Sequence, residues 1–152
     1  MFKIIRGIAI GFVVLALLAG AYFGIQLWLR AQEENTIYLA VAGPMSGVNQ
    51  AYGEEMLRGV NLYVNEVNSR GGVDGKKVKV LAFDDQNDPE LVKIRAQEVV
   101  NSEAVIVIGH AYSSTSLAAG EIYRVAGPAA ISGSATSDNV TENPWYFRSV
   151  AN

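Results

Sequence analysis

Strand-like runs alternate with helix-like stretches from residue 37 onward, and this alternation limits the possible folds more than any other feature of the sequence. The strand-like runs lie at residues 37–42, 77–83, 104–108 and 128–131, with a last piece at 145–149. The helix-like stretches cover residues 51–69, 89–102 and a third segment that ends near residue 126. This order predicts an α/β fold, in which a parallel βαβαβαβ sheet has helices on both faces. The run at 104–108 is apolar throughout and predicts a buried strand.

The predicted second helix has the clearest start and inner face. Residues 88–90 (Asp-Pro-Glu) supply an N-cap, a proline at the first helical position and an acid in the first turn. Val92, Ala96 and Val99 recur at helical spacing and are predicted to face the sheet. The third helix is predicted to turn inward the residues Ala118, Ile122 and Val125.

Three loops rich in glycine and hydroxyl side chains follow predicted strands, at residues 43–52, 109–116 and 132–137. In an open parallel sheet such loops meet at the carboxyl edge, where ligands bind. Five hydroxyl side chains lie at residues 112–116, where the third helix begins. The unpaired N–H groups and the dipole of a helix start attract a carboxylate or a phosphate, so this segment is a candidate anion site. The alternative is that its serines and threonine only cap the helix.

The amino-terminal region has a different character. Lys3 and Arg6 precede an apolar run at residues 7–29 that is long enough to cross a bilayer as a helix. The positive charges before it predict a single-pass inner-membrane protein with a cytoplasmic amino terminus and a periplasmic domain. A cleaved signal peptide, with Ala19-Gly20-Ala21 as its site, is the alternative. The predicted organisation is a tip and transmembrane anchor at 1–30, a linker at 31–36 and a ligand-binding domain at 37–152.

Composition and charge exclude several classes of function. The chain has no cysteine, which excludes disulfides and thiolate sites. Nine basic and fifteen acidic side chains follow residue 30, a net charge of −6, so nucleic acid is not a predicted partner. Asp84, Asp85 and Asp88 carry oxygens that suit a hard cation, but they lack the spacing of a calcium loop, and Asp88 is explained as a cap. No metal or cofactor is predicted.

No arrangement of residues predicts catalysis. The one histidine, His110, either orients a ligand or packs within its loop. A hydrolase that uses Ser113 and His110 is the enzymatic alternative, but no Gly-x-Ser-x-Gly turn surrounds the serine. The protein is therefore predicted not to be an enzyme.

Five short segments follow one another in a characteristic order. They are Gly43-Pro44-Met45-Ser46-Gly47 with Tyr52-Gly53, residues 65–76, residues 84–89, Val107-Ile108-Gly109-His110 with Ser113-Ser114, and Ile131-Ser132-Gly133-Ser134-Ala135-Thr136. Together they resemble the type I periplasmic binding proteins, specifically the branched-chain amino-acid or leucine-binding receptors that serve ABC transporters. The resemblance covers residues 37 to about 150, which correspond to the amino-terminal part of lobe one, so it implies an incomplete periplasmic-binding-protein-like fold.

The resemblance also implies a ligand site, because lobe one of these receptors binds the α-carboxylate and α-ammonium groups of an amino acid. By their place in the motifs, Ser113 and Thr136 would each contribute a hydroxyl and an N–H group. The carbonyl of Ser134 would accept a hydrogen bond from the ammonium group, and Tyr52 matches a wall of the pocket. The other predicted ligand-binding positions are Tyr112, which is bulkier than expected beside a carboxylate, and Ala135.

The implied function is an extracytoplasmic solute-binding module for an amino acid or a similar small polar solute. Its expected partners are an ABC permease or a signalling domain, and the membrane through the amino-terminal helix. In this family a second lobe closes over the ligand, so a chain limited to lobe one is expected to bind weakly or not at all. The alternative is an interaction or structural remnant that binds no ligand.

Overall fold

A computed structural model describes residues 15, 17–28 and 35–150 of the chain. The chain divides into two units, Met1–Thr36 and Ile37–Asn152. The predicted division into anchor, linker and ligand-binding domain stays a prediction.

In the amino-terminal unit, residues 17–28 are helical, and the rest of the predicted anchor and linker falls mostly outside the described residues. No helix among the described residues is long and apolar enough to cross a membrane. This finding corrects the prediction of a single-pass inner-membrane location, and it gives no support to membrane contact through this helix.

The second unit is built from alternating strands and helices. The strands are β1 (Thr36–Gly43), β2 (Lys77–Asp84), β3 (Ala104–Gly109), β4 (Ala129–Ser132) and β5 (Tyr146–Arg148). The helices are α1 (Gln50–Ser69), α2 (Pro89–Val100) and α3 (Ser113–Ala126), and a 3₁₀ helix covers Asp138–Glu142. The five strands form one sheet in the order β2-β1-β3-β4-β5. The pairings of β1 with β3, β3 with β4 and β4 with β5 are parallel, which confirms the predicted α/β class.

Helix α2 begins and packs as its sequence predicts. The Asp88 side chain accepts hydrogen bonds from the N–H groups of Glu90 (2.9 Å) and Leu91 (2.8 Å), which have no partner within the helix. Its predicted inner face is fully buried, and it consists of Val92, Ala96 and Val99. The helical spacing therefore identified the side chains that fill the space between α2 and the sheet.

The two faces of the sheet are buried to different extents. On the face that packs against α2 and α3, residues in register on four neighbouring strands are at most 2% exposed, and they are Ala40, Val107, Ala130 and Tyr146. On the opposite face, the adjacent row is Val41, Ile108, Ile131 and Phe147. In this row Val41 is fully buried, Ile108 and Ile131 are half-buried, and Phe147 is 52% exposed. The exposure rises towards β5 because α1, the helix on this face, packs beside β2, and β2 and β5 are the two opposite edges of the sheet.

The start of β3 departs from the predicted buried run. Tyr38 is in register with Ala104 and Leu39 with Ile106, so Val105 has no partner on β1. An extra residue in one strand of a pair shifts the alternation of its side chains. Ala104 packs against the core, whereas Val105 is 62% exposed. The prediction of a continuous buried strand is therefore wrong for the first half of β3.

The inner face of α3 also differs from the prediction. Val125 is 84% exposed, whereas Ala119 and Tyr123 are buried. Ser116, on the same helix, is also fully buried. The stripe of apolar residues identified only part of the buried face, because Ala118 and Ile122 pack against the core but Val125 does not. It missed Ser116 and Tyr123, whose hydroxyl groups have partners inside the domain.

Two valines of β3 give a matched test of this packing. We expect Val107→Ala to lower the free energy of unfolding by about 2 kcal/mol, because it removes two methyl groups from a site that cannot collapse fully. Val105→Ala is the control, and its effect is expected to stay within about 0.5 kcal/mol, since that side chain already contacts water. Urea unfolding monitored by circular dichroism measures both, and equal losses would contradict the described burial.

Candidate functional site

The candidate site lies at the carboxyl edge of the sheet, where β3 and β4 end. The last residue of β3, Gly109, has a φ of +130°, which disfavours any residue with a side chain. A Cβ atom at this position would lie 1.9 Å from the carbonyl oxygen of Ala42 on β1. Glycine therefore allows the chain to leave β3 in close contact with β1 and to enter the hydroxyl-rich segment 110–116.

The start of α3 has no side-chain cap. Its N-cap residue is Tyr112, which makes no capping hydrogen bond, in contrast to Asp88 at the start of α2. The Thr115 hydroxyl donates to the carbonyl of Tyr112 (3.0 Å), and the Ser116 hydroxyl donates to the carbonyl of His110 (3.0 Å). These hydroxyls therefore bind carbonyl groups and leave the first N–H groups of α3 available to an anion.

Ser113 joins the two loops that were predicted to hold the ligand. Its Oγ accepts hydrogen bonds from the N–H groups of Thr136 (3.1 Å) and Ser137 (3.1 Å). The structure thus brings Ser113 and Thr136 together across the gap between β3 and β4. Because Ser113 Oγ accepts twice, its own proton remains to be donated, and two neighbouring N–H dipoles polarise that hydroxyl.

The other loop positions have different surroundings. The Ser134 hydroxyl donates to the carbonyl of Ala111 (2.6 Å), so its side chain fixes the loop. Ala135 is fully buried, and its N–H group donates to Ser132 Oγ (3.0 Å). Sequence reasoning gave Ser132 no role, although its hydroxyl also donates to the carbonyl of His110 (2.8 Å).

Two tyrosines form an aromatic wall beside these loops. The rings of Tyr52 and Tyr112 lie 5.9 Å apart between centroids and are tilted by 42°. Tyr52 also borders a cavity of about 330 Å³, whose other lining residues are Glu55, Met56, Ile108, Gly133 and Ser134. The cavity therefore adjoins the predicted site and shares Tyr52 and Ser134 with it, whereas Ser113 and Thr136 lie outside its lining.

His110 lies inside the domain, and its side chain does not reach the solvent-exposed side of the loops. It is fully buried, with Nδ1 2.6 Å from Asp85 Oδ2 and Nε2 3.0 Å from the Tyr123 hydroxyl. Both ring nitrogens are thus engaged away from Ser113, whose Oγ contacts N–H groups of the neighbouring loop. A hydrolase in which His110 activates Ser113 has no geometric support.

Comparison with known proteins identifies the family to which the fold belongs. The family model described as "Periplasmic binding protein" matches residues 36–152. This chain belongs to that family. Proteins of this family bind substrates, which agrees with the predicted class of function and with the position of the loops at the carboxyl edge.

Individual periplasmic binding proteins resemble the chain over most of its length. An "Amino acid binding protein" of Pseudomonas aeruginosa is 33% identical over 130 residues, which are 85% of this chain and 34% of that protein. The Leu/Ile/Val-binding protein of Escherichia coli K12 is 36% identical over 105 residues, 69% of this chain and 29% of that protein.

A solved structure also matches, that of the branched-chain amino acid transporter substrate binding protein of Streptococcus pneumoniae in complex with isoleucine. Its TM-score is 0.71 at 32% identity, over 74% of this chain and 33% of that one. The chain therefore spans about a third of the length of the relatives it matches.

Asp84 fixes the first loop of this periplasmic binding domain. Its carboxylate accepts hydrogen bonds from the Met45 N–H (2.7 Å), the Ser46 N–H (3.2 Å) and the Ser46 hydroxyl (2.5 Å). Partial burial acts to raise the pKa of the Asp84 carboxyl, but these bonds and one from the Gln86 N–H outweigh it and hold the pKa below its ordinary value of 3.8.

The acidic cluster thus has three separate structural roles. Asp84 holds the loop after β1, Asp85 contacts His110, and Asp88 caps α2. Among the residues that the structure describes, no group of three or more metal-ligating side chains is arranged to hold an ion.

The lowered pKa of Asp84 gives a test by pH. A carboxyl whose folded pKa lies below its unfolded value stabilises the fold above the unfolded pKa, and this contribution disappears as pH falls through the folded pKa. We therefore expect Asp84→Asn to be less stable than the parent at pH 7, and the difference to shrink below about pH 4. Urea unfolding at several pH values between 3 and 7 measures this.

Asp88→Asn is the matched control, because asparagine caps a helix about as well as aspartate does. Its stability at pH 7 should stay close to that of the parent. A difference between Asp84→Asn and the parent that does not change with pH would contradict the role of the ionised carboxylate.

Proposed function

We propose that the protein is an extracytoplasmic solute-binding module that recognises an amino acid at the loops after β3 and β4. One observation carries the proposal. The Ser113 oxygen accepts the N–H groups of Thr136 and Ser137, so the donors that converge at one place are the Ser113 hydroxyl and the unpaired N–H groups at the uncapped start of α3. Converging N–H and O–H donors at a helix start suit a carboxylate.

The remaining parts of an amino acid have suitable neighbours as well. A carbonyl such as that of Ser134 is an acceptor for an ammonium group. The Tyr52 and Tyr112 rings offer apolar surface with polar tips to the ligand side chain. The relatives named for binding Leu, Ile and Val support an amino acid as the ligand class.

We further propose that the module supplies an ABC importer or a sensory receptor. The transporter named for the Streptococcus pneumoniae relative supports the first of these partners. The affinity of this chain alone is expected to be weaker than micromolar, because the chain spans about a third of the length of its relatives and fewer contacts then offset the cost of association.

The test is a titration of the isotopically labelled chain with L-leucine, followed by amide NMR signals. We expect saturable shifts at Ser113, Ser114 and Thr136, and none with leucinamide, which lacks the carboxylate. Ser113→Ala should weaken binding by about tenfold, since it removes a hydrogen bond to a charged group. Ser114→Ala is the matched control, because Ser114 is exposed and keeps its N–H group.

Three other outcomes of these measurements would contradict part of the proposal. Absence of any shift with a panel of amino acids would overturn the proposal and favour a role in interaction or structure. Micromolar affinity would contradict the expected weakness of this chain alone. Turnover of an ester or amide substrate that is lost in Ser113→Ala would favour a hydrolase instead.

A further inference from the structure

The core below the candidate site contains a buried ionic contact. Asp85 and His110 are both fully buried, and Asp85 Oδ2 lies 2.6 Å from His110 Nδ1. The second carboxylate oxygen, Oδ1, accepts the Asn87 N–H (2.8 Å). An ionised carboxylate only accepts hydrogen bonds, so Asp85 in that form pairs with an imidazole that carries its proton on Nδ1. Both oxygens of this buried group are therefore satisfied, which offsets part of the cost of removing it from water.

The other side of the imidazole is held by a tyrosine. Nε2 lies 3.0 Å from the Tyr123 hydroxyl of α3. Burial raises the pKa of the Tyr123 phenol, and the nearby Tyr146 and Asp85 raise it further, so the phenol stays protonated and can donate to Nε2. The ring is thus fixed at both nitrogens, by the loop after β2 on one side and by α3 on the other.

The backbone of His110 is fixed by a second tyrosine. The His110 N–H donates to the Tyr146 hydroxyl (2.6 Å), and this hydroxyl donates to the carbonyl of Gly109 (2.6 Å). Burial raises the pKa of Tyr146 to about 12, although the hydrogen bond from the His110 N–H acts to lower it, so this phenol is also protonated at neutral pH.

The carbonyl of His110 is the common acceptor for two serines on different elements. It accepts the Ser116 hydroxyl of α3 (3.0 Å) and the Ser132 hydroxyl at the end of β4 (2.8 Å). Ser132 Oγ in turn accepts the N–H groups of Ser134 (3.3 Å) and Ala135 (3.0 Å). A displacement of the His110 carbonyl therefore displaces the start of α3 and the loop after β4 together.

We propose that His110 is a positioning residue for solute binding. The contacts of its ring with Asp85 and Tyr123 fix the position of its backbone carbonyl. The position of this carbonyl in turn sets the distance between Ser113 and Thr136. This inference rests on the proposed function. His110 does not touch the ligand, and it acts through Ser116 and Ser132, which fix the two loops that do.

Two substitutions of His110, each of which removes the imidazole ring, test whether this residue positions the loops or only fills space in the core. His110→Leu and His110→Asn introduce side chains of similar size and shape, and only the asparagine offers an N–H group to Asp85. We expect His110→Leu to weaken leucine binding by at least about tenfold, since it leaves Asp85 buried with a lost partner. Asparagine should restore binding to within about threefold of the parent.

The readouts are the affinity from the NMR titration and the ligand-free amide signals of Ser134 and Ala135. In the parent, the imidazole nitrogen signals should show the tautomer with the proton on Nδ1. Val99→Ala is the control for lost stability alone, because Val99 is fully buried in the core but its side chain makes no hydrogen bond in this network. It should lower stability and leave the affinity unchanged.

If His110→Leu does not fold, Tyr123→Phe replaces it, because this change removes one hydroxyl and keeps the ring. Binding weakened by at least about threefold is then expected. Equal affinities in the parent and in folded His110→Leu, or in Tyr123→Phe, would overturn the positioning role alone. No binding by the parent chain would overturn the proposed function, and the positioning role with it.

Discussion

The contact between Asp85 and His110 is the interaction on which the arrangement of the site depends. In the sheet order β2-β1-β3, strand β1 lies between the strands that these two residues follow. The 2.6 Å contact therefore passes over the end of β1, and the Asp85 N–H donates to Gly43 at that same end (3.0 Å). Asp85 thus joins three neighbouring strands at their carboxyl ends, through its backbone N–H group to β1 and its carboxylate to His110. An uncompensated charge at this depth would be strongly unfavourable, so a buried Asp85 carboxylate depends on these partners.

The loops of the candidate site are held by residues that lie next to that contact. Asp84 holds the loop after β1 from the side of α1, where Gly53 allows the helix to approach. A Cβ atom at Gly53 would lie 2.2 Å from the carbonyl oxygen of Pro44. On the other side, Ser132 and Ser113 join the ends of β3 and β4 through hydroxyl groups. Hydroxyls suit this purpose because each one both donates and accepts, so a small side chain connects two backbone segments.

Local patterns predicted the parts of the fold that depend on local physics. The start of α2 and its buried face could be predicted from Asp88 and from the spacing of Val92, Ala96 and Val99, because capping and helical periodicity act within a few residues. The type and order of the elements followed in the same way.

Features that depend on distant partners could not be predicted. His110 and Asp85 are 25 residues apart, and nothing near either residue indicates the other. Part of the buried face of α3 was missed for the same reason, because Tyr123 and Ser116 are buried only where hydrogen-bond partners from other elements meet them. The pairing of Ser113 with Thr136 is a further long-range contact, and the resemblance to a family, rather than any local pattern, placed both residues in one site.

The adjacency of Asp84 and Asp85 restricts how this sequence can change. Successive residues of an extended chain point to opposite sides, and here one carboxylate serves the loop before α1 while the next enters the core beside α3. Insertion or deletion of a single residue in β2 would exchange these directions, so that neither acid met its partner. The length of β2, and of the turn that carries Asp85 and the Asp88 cap after it, is therefore constrained.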